Sequence, residues 1–328
     1  MKKHSRKIDM KYFINLILLM FFFCASIVAQ DKVLTDKKLL ELKQKADNYF
    51  SARDFKQAIS AYSSLLENKL PQKAKLETLN RKGLCYEKLN DYAQAIETFQ
   101  ECIEIDHEEP SCSMNLGRIY EKSGMTDLAL KSYLNALALS SNKFDAYLYT
   151  ARIYQKLGLY TQAIDNYKQA LLLKSTPEIY RNLSKCYETM HEWELSASML
   201  KQALSFEYVN EDYLRLATLY SIQGKYTDSV YMLLKASSQE PERLDIKLHL
   251  LIAYYKKGDM ESVNYTLEKI KQEHPENALV HFLSGVLFYT KGDFENSLAA
   301  FEKSSELADT PLIREYSLYL ENNLKNKQ

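Results

Sequence analysis

The amino-acid sequence predicts an all-α fold, a solenoid of about eight helix-turn-helix repeats closed by a C-terminal capping helix. Three observations predict it. The segments 83–103, 117–137 and 151–171 match one another at intervals of 34 residues, and a fixed period of that length marks a stacked repeat array. Glycine and proline are scarce, 8 and 6 in 328 residues, too few to supply the turns of a sheet-rich fold. The 46% hydrophobic and 26% charged residues describe a chain that builds a core and not a disordered one.

The first element is set apart by composition. Lys2, Lys3, Arg6, Lys7 and Lys11 precede an apolar run from Tyr12 to Ala29, with small residues at Ala25, Ser26 and Ala29. Residues 1–29 read as a secretory signal peptide cleaved after Ala29, and 30–38 as a short linker. The alternative is an uncleaved anchor in the inner membrane, since about 18 apolar residues just span a bilayer. The aromatic flank of Cys24 argues against a lipid-modified cysteine there. Five of the 43 basic and one of the 43 acidic residues fall within 1–29, leaving 38 against 42. A slightly acidic chain of this kind is not suited to nucleic acid, which needs clustered positive charge.

Residues 39–311 hold the repeats, with starts at Leu39, Leu76, Pro110, Phe144, Pro177, Asn210, Leu244 and Ala278. Counted from each start, position 8 is small (Ala46, Gly83, Gly117, Ala151, Ser184, Ala217, Gly285), with Leu251 the exception. Position 11 is aromatic throughout: Tyr49, Tyr86, Tyr120, Tyr154, Tyr187, Tyr220, Tyr254 and Phe288. Position 20 runs Ala58, Ala95, Ala129, Ala163, Ser196, Ser229, Val263, Ser297. Every glycine falls at position 8 or at position 15, the turn inside the repeat, and every proline falls at a junction between repeats. That distribution leaves none for a phosphate-cradling loop. Positions 8 and 20 are expected to face each other where two helices approach closely, and Gly83, Gly117 and Gly285 to be close-contact sites. Residues 312–328 read as the capping helix and tail, with Leu312, Ile313, Tyr316, Tyr319, Leu320 and Leu324 at helical spacing.

This pattern of small residue, tyrosine, glycine, alanine, aromatic and alanine resembles the tetratricopeptide repeat family, over more than four-fifths of the chain. The resemblance implies a right-handed superhelix whose first helices line a concave groove through positions 2, 5, 9, 12 and 13. Carried onto this sequence, the middle of the groove presents Arg118, Lys122, Arg152, Lys156, Arg181 and Lys185. Its later part presents Leu248, Ile252, Tyr255, Phe282, Val286 and Tyr289. The expectation is that the basic stretch pairs acidic side chains or a terminal carboxylate and the aromatic stretch anchors apolar ones. The bland alternative is that the cations only solvate their helices and the last apolar face is covered by the C-terminal segment. The carboxylate clamp of co-chaperone members is not reproduced, because Lys43 is followed by Asp47, and Asn80 by Leu84.

Catalytic chemistry finds little support. His107, His191, His249, His274 and His281 lack metal-ligand spacing, and no nucleophile-elbow, Walker or dinucleotide fingerprint occurs. No cofactor or metal is expected. Cys85, Cys102 and Cys186 sit at core positions, and a Cys102–Cys112 bridge across a repeat junction remains open. Trp193 shares position 17 with packing aromatics. The sequence therefore predicts a non-catalytic, exported scaffold of a bacterial cell envelope that holds a protein or peptide. It would meet a membrane only through an uncleaved signal or a membrane-bound partner. Alternatives are an envelope assembly factor, such as a periplasmic chaperone or pilotin, and more distantly an enzyme-associated regulatory subunit.

Overall fold

The computed structural model describes residues 37–308, together with 311 and 318. Among them are sixteen helices and no strand. The expected signal peptide, the start of the linker, and nearly all of the expected capping helix and tail lie outside the described residues. Helix α1 covers 37–51, and α2 (Phe55–Leu66), α3 (Gln72–Lys88) and α4 (Tyr92–Ile105) follow. Then come α5 (Pro110–Lys122), α6 (Thr126–Leu139), α7 (Phe144–Lys156) and α8 (Tyr160–Leu173). These belong to a first compact unit, Met1–Lys174. The second unit, Ser175–Gln328, holds α9 (Pro177–Thr189), α10 (Trp193–Leu204), α11 (Asn210–Ile222) and α12 (Tyr226–Gln239). It continues with α13 (Leu244–Lys257), α14 (Met260–Glu273), α15 (Ala278–Thr290) and α16 (Phe294–Leu307). In both units each helix packs on the next along the chain, so successive helical hairpins stack as in a solenoid.

The turn inside each hairpin has one geometry. Position 15 is left-handed in all eight: Gly124, Gly158, Gly224, Gly258 and Gly292 at φ 71–82°, and Arg53, Asn90 and His191 at φ 59–61°. The next residue's N–H then reaches back to the carbonyl of the position-11 aromatic, from Asp54 to Tyr49 through Asp293 to Phe288, at 2.8–3.0 Å. This six-to-one bond closes the first helix. Where position 16 is aspartate, its side chain also starts the second helix, as Asp54, Asp91, Asp259 and Asp293 accept from Gln57, Gln94, Ser262 and Asn296. Two helices are also opened by proline, Pro110 in α5 and Pro177 in α9. Helix α3 begins at Gln72, ahead of Leu76, because Pro71 halts the preceding segment and starts the helix early.

Each hairpin is held by a three-cornered contact. The residues at positions 8 and 20 are fully or almost fully buried in every hairpin, from Ala46 and Ala58 to Gly285 and Ser297. They do face each other: the Ser184 and Ser196 hydroxyls bond at 2.7 Å, and the Ser297 hydroxyl donates to the Gly285 carbonyl at 2.8 Å. What excludes a side chain at the glycines, however, is a third residue at position 24. A Cβ on Gly83 would lie 2.6 Å from the Phe99 ring, on Gly117 2.7 Å from Tyr133, and on Gly285 2.8 Å from Phe301. Alanine suffices beside the rings of Tyr62 and Tyr167, in Ala46 and Ala151, while Leu251 stands opposite the smaller Leu267. The room at position 8 therefore depends on how closely the position-24 side chain is laid over it, since tyrosine stands beside both Gly117 and Ala46.

Cys85 and Cys186 are buried thiols, and burial pushes them up to about 12 and about 11, so both stay protonated. Cys102 of α4 and Cys112 of α5 form a disulfide, resolving the alternatives left open above.

Two stability predictions follow from the hairpin geometry. Gly117→Ala should destabilise by roughly 1–3 kcal/mol through overpacking against Tyr133, although alanine alone favours a helix by about 1 kcal/mol. Arg53→Gly should stabilise by about 0.5–1 kcal/mol, because a left-handed residue with a Cβ is strained there. Urea denaturation of the two variants checks both signs.

Candidate partner-binding face

The first helices of successive hairpins stand side by side and are tied by ion pairs. Glu87 of α3 is buried and accepts from Arg118 at 2.5 Å and Lys122 at 2.7 Å, both on α5. Burial raises the Glu87 carboxyl, but bonds and charge from Lys122 and Arg118 outweigh it and hold the group below the usual carboxylate range. Arg152 of α7 stands 3.9 Å from Glu121 of α5. In the second unit Arg181 of α9 binds Asp212 of α11 at 2.6 Å and Glu207 at 2.7 Å. Arg215 of α11 reaches Glu188 of α9 at 2.6 Å.

These bonds sort the expected basic positions. Arg118, Lys122 and Arg181 spend their charge on neighbouring hairpins, and Arg181 is only about a quarter exposed. Arg152 is exposed and loosely paired, and its guanidinium lies 5.6 Å from the Tyr149 ring. Lys156 and Lys185 are exposed and make no ion pair among the described residues. The positive charge open to a partner is thus narrower than the sequence suggested.

The apolar positions, all in the second unit, divide as well. Leu248 packs against the cluster of Leu251, Val263, Leu267 and Ile270, and Phe282 lies 5.3 Å from Phe301. Both contribute to the core, and Val286 is half-buried. Ile252, Tyr255 and Tyr289 are exposed, Tyr289 with its ring 5.6 Å from Phe294. Beside Ile252 a cavity of about 420 Å³ opens between α11, α12 and α13, floored by Ala217, Ser229 and Leu233 and rimmed by Ile222, His249 and Lys256. A second hollow of about 220 Å³ lies between α9, α10 and α11 and meets it at Thr218 and Ile222. The sequence reading missed this cavity. Ile222 and Lys256 occupy position 13, one of the groove positions, but neither belonged to the expected set. Trp193 packs against Leu200 and Leu216, as expected of position 17.

Among the described residues no three His, Cys, Asp or Glu side chains gather to hold a metal ion. No helix among them is long and apolar enough to cross a membrane.

Family comparisons agree with this architecture. Residues 76–109, 111–147 and 145–177 each match the tetratricopeptide repeat. The chain is a tetratricopeptide repeat protein. Repeats of this family act as scaffolds for protein–protein interaction, binding protein or peptide partners, and are generally not catalytic. Beyond residue 177 the same buried positions and the same left-handed turn recur in this tetratricopeptide repeat protein.

Among solved structures, the C-terminal part of a repeat-containing protein from Cytophaga hutchinsonii is similar with TM-score 0.51 and 18% identity, over 83% of this chain and 98% of that one. Naa15/Naa10 bound to HypK-THB gives TM-score 0.55 and 15% identity, over 86% of this chain and 44% of that one. At such identity both show the fold alone. The Photosystem I assembly protein Ycf3 of Prochlorococcus marinus (strain MIT 9303) is 32% identical over 76 residues, 23% of this chain and 44% of that protein. The chain spans less than half the length of the curated relatives it matches.

The Glu87 cluster gives a pH prediction. A carboxylate held below its unfolded value stabilises the fold above that value, and the contribution is lost as pH falls through the folded one. Stability should therefore drop below about pH 4.3, the ordinary glutamate value, and Glu87→Gln should flatten part of the drop while lowering stability at pH 7. Melting midpoints taken from pH 7 down to about pH 3 measure both.

Proposed function

We propose that this tetratricopeptide repeat protein is an exported, non-catalytic scaffold of a bacterial cell envelope, holding a protein or peptide along its first-helix face. The observation that carries the binding reading is the character of that face in the second unit. Ile222, Ile252, Tyr255 and Tyr289 are exposed there, and a hollow lies between the helices where a partner side chain can enter. In the first unit Lys156 and the loosely held Arg152 offer charge to an acidic partner.

Export is supported by two independent features. The basic segment before the apolar run Tyr12–Ala29 has the composition of a signal, cleaved or retained as an inner-membrane anchor. The Cys102–Cys112 disulfide fits an oxidising compartment, since cytosolic thiols are kept reduced. A second reading, an envelope assembly factor, is favoured by the curated relatives, which are assembly proteins.

The test is a photo-crosslinking amino acid placed at Lys156, Lys185 or Ile252 on first helices, and at Lys168 or Leu234 on second helices. The expected result is a protein crosslinked from the first-helix sites in the envelope fraction, with Cys102 and Cys112 oxidised in the isolated chain. Crosslinks confined to Lys168 and Leu234 would overturn the binding face. A cytosolic chain with both thiols reduced would overturn export.

A further inference from the structure

The cavity between α11, α12 and α13 exists for an identifiable reason. In the first unit the space over positions 8 and 20 is filled by a buried ring, Tyr62, Phe99, Tyr133 or Tyr167. In α10, α12 and α14 position 24 is leucine, and the lost volume is handled differently each time. Beside Leu200 the space is taken up by polar groups, as Arg215 reaches Ser184 at 3.4 Å and Glu188 at 2.6 Å. Beside Leu267 it is taken up by Leu251, a large residue at position 8. Beside Leu233 neither device is present. Positions 8 and 20 are Ala217 and Ser229, and His249, at the same repeat position as Arg215, turns back to the Asp245 carbonyl at 2.7 Å. A hollow of about 420 Å³ results.

Its polar floor makes no demand on a ligand. The Ser221 and Ser229 hydroxyls bond each other at 2.8 Å, and the Thr218 hydroxyl donates to the Leu214 carbonyl at 3.0 Å. The remaining wall is mostly apolar, from Ala217, Leu233 and Ala253 with the Tyr226 and His249 rings, and Ile222 and Ile252 are about half exposed at its mouth. Lys256 at the rim has no ion pair among the described residues, and no carboxylate lines the cavity. An apolar hollow under one uncompensated ammonium is complementary to one kind of group.

We propose that this cavity receives a bulky apolar side chain of an acidic peptide segment, while Lys256 pairs a carboxylate beside that side chain. The proposal rests on the reading that the first-helix face holds a partner, and it names that partner's chemistry at one point. The hollow serves as a specificity pocket, because among the described hairpins with leucine at position 24 this one has neither a large position-8 residue nor an arginine filling the space.

The test uses small probes and the full chain. 3-Phenylpropionate carries the ring and the carboxylate, 3-phenylpropylamine the ring with opposite charge, and propionate the charge alone. Methyl resonances of Ile222, Ile252 and Leu233 should shift with 3-phenylpropionate, about tenfold more weakly with the amine, and not with propionate. Leu233→Tyr restores the tyrosine-with-alanine pairing of Ala151 and Tyr167, so it should abolish the shifts while keeping the helical circular dichroism. Ala217→Leu reproduces the Leu251–Leu267 pair and serves if the first variant fails to fold. Lys256→Glu should reverse the preference between acid and amine. Equal binding of acid and amine, or shifts unchanged in a folded cavity-filling variant, would overturn the pocket. First-helix crosslinking that persisted beside such a result would leave the partner face standing and remove this pocket alone.

Discussion

The fold depends on one contact, the laying of the position-24 side chain over position 8 of the first helix and against position 20 of the second. It lets two helices of ordinary length bury a common face, which neither could do alone in water. The contact has a fixed volume, so its corners trade against one another. Phe99, Tyr133 and Phe301 demand glycine, Tyr62 and Tyr167 accept alanine, and Leu267 admits Leu251. Glycine inside a helix costs about 1 kcal/mol against alanine, and the cost is met here by an aromatic ring that buries far more apolar area. Where the trade is left incomplete, at Ala217, Ser229 and Leu233, the surplus volume surfaces between the first helices as a cavity. Packing and recognition are thus linked through a single leucine.

The turn and the contact cooperate. A left-handed residue at position 15 and the bond back to position 11 fix where the second helix begins, and so where position 20 arrives opposite position 8. That geometry holds at Arg53, Asn90 and His191 despite their side chains. The surrounding packing therefore outweighs a left-handed strain of about 1–2 kcal/mol.

Much of this was legible in the sequence. The buried register could be read from small residues at positions 8 and 20 because those sites tolerate so few side chains. The glycines at position 15 could be read because the turn demands positive φ. The partner of the position-8 glycines was misjudged, since a ring four residues past position 20 leaves no mark at the glycine itself. The binding face was less legible for a related reason. A first-helix arginine has the same appearance in sequence whether it faces solvent or binds Glu87 or Asp212 on the next hairpin. Likewise Leu248 and Phe282 share the repeat position of a groove residue yet pack inward. Ion pairing between hairpins and partial burial arise from stacking, which a single repeat does not encode.

The electrostatics of the first-helix face follow from the same corner of the fold. Tyr133 and Tyr167, buried at position 24, extend their hydroxyls to the position-12 side chains Glu121 and Gln155, at 2.9 and 2.8 Å. A hydroxyl partly meets the needs of an acceptor, so fewer cations are drawn to it. Glu121, so supported, leaves Arg152 at 3.9 Å, and uncharged Gln155 calls for no cation at all. Phe99 has no hydroxyl to give, and Glu87 at the corresponding position is instead satisfied by both Arg118 and Lys122. Leu200 has none either, and Glu188 draws in Ser184, Ser196 and Arg215. Whether a position-24 ring carries an oxygen thus bears on how much positive charge is bound within the stack and how much is left exposed. A change of tyrosine to phenylalanine inside the core would then alter the charge offered to a partner without touching a surface residue.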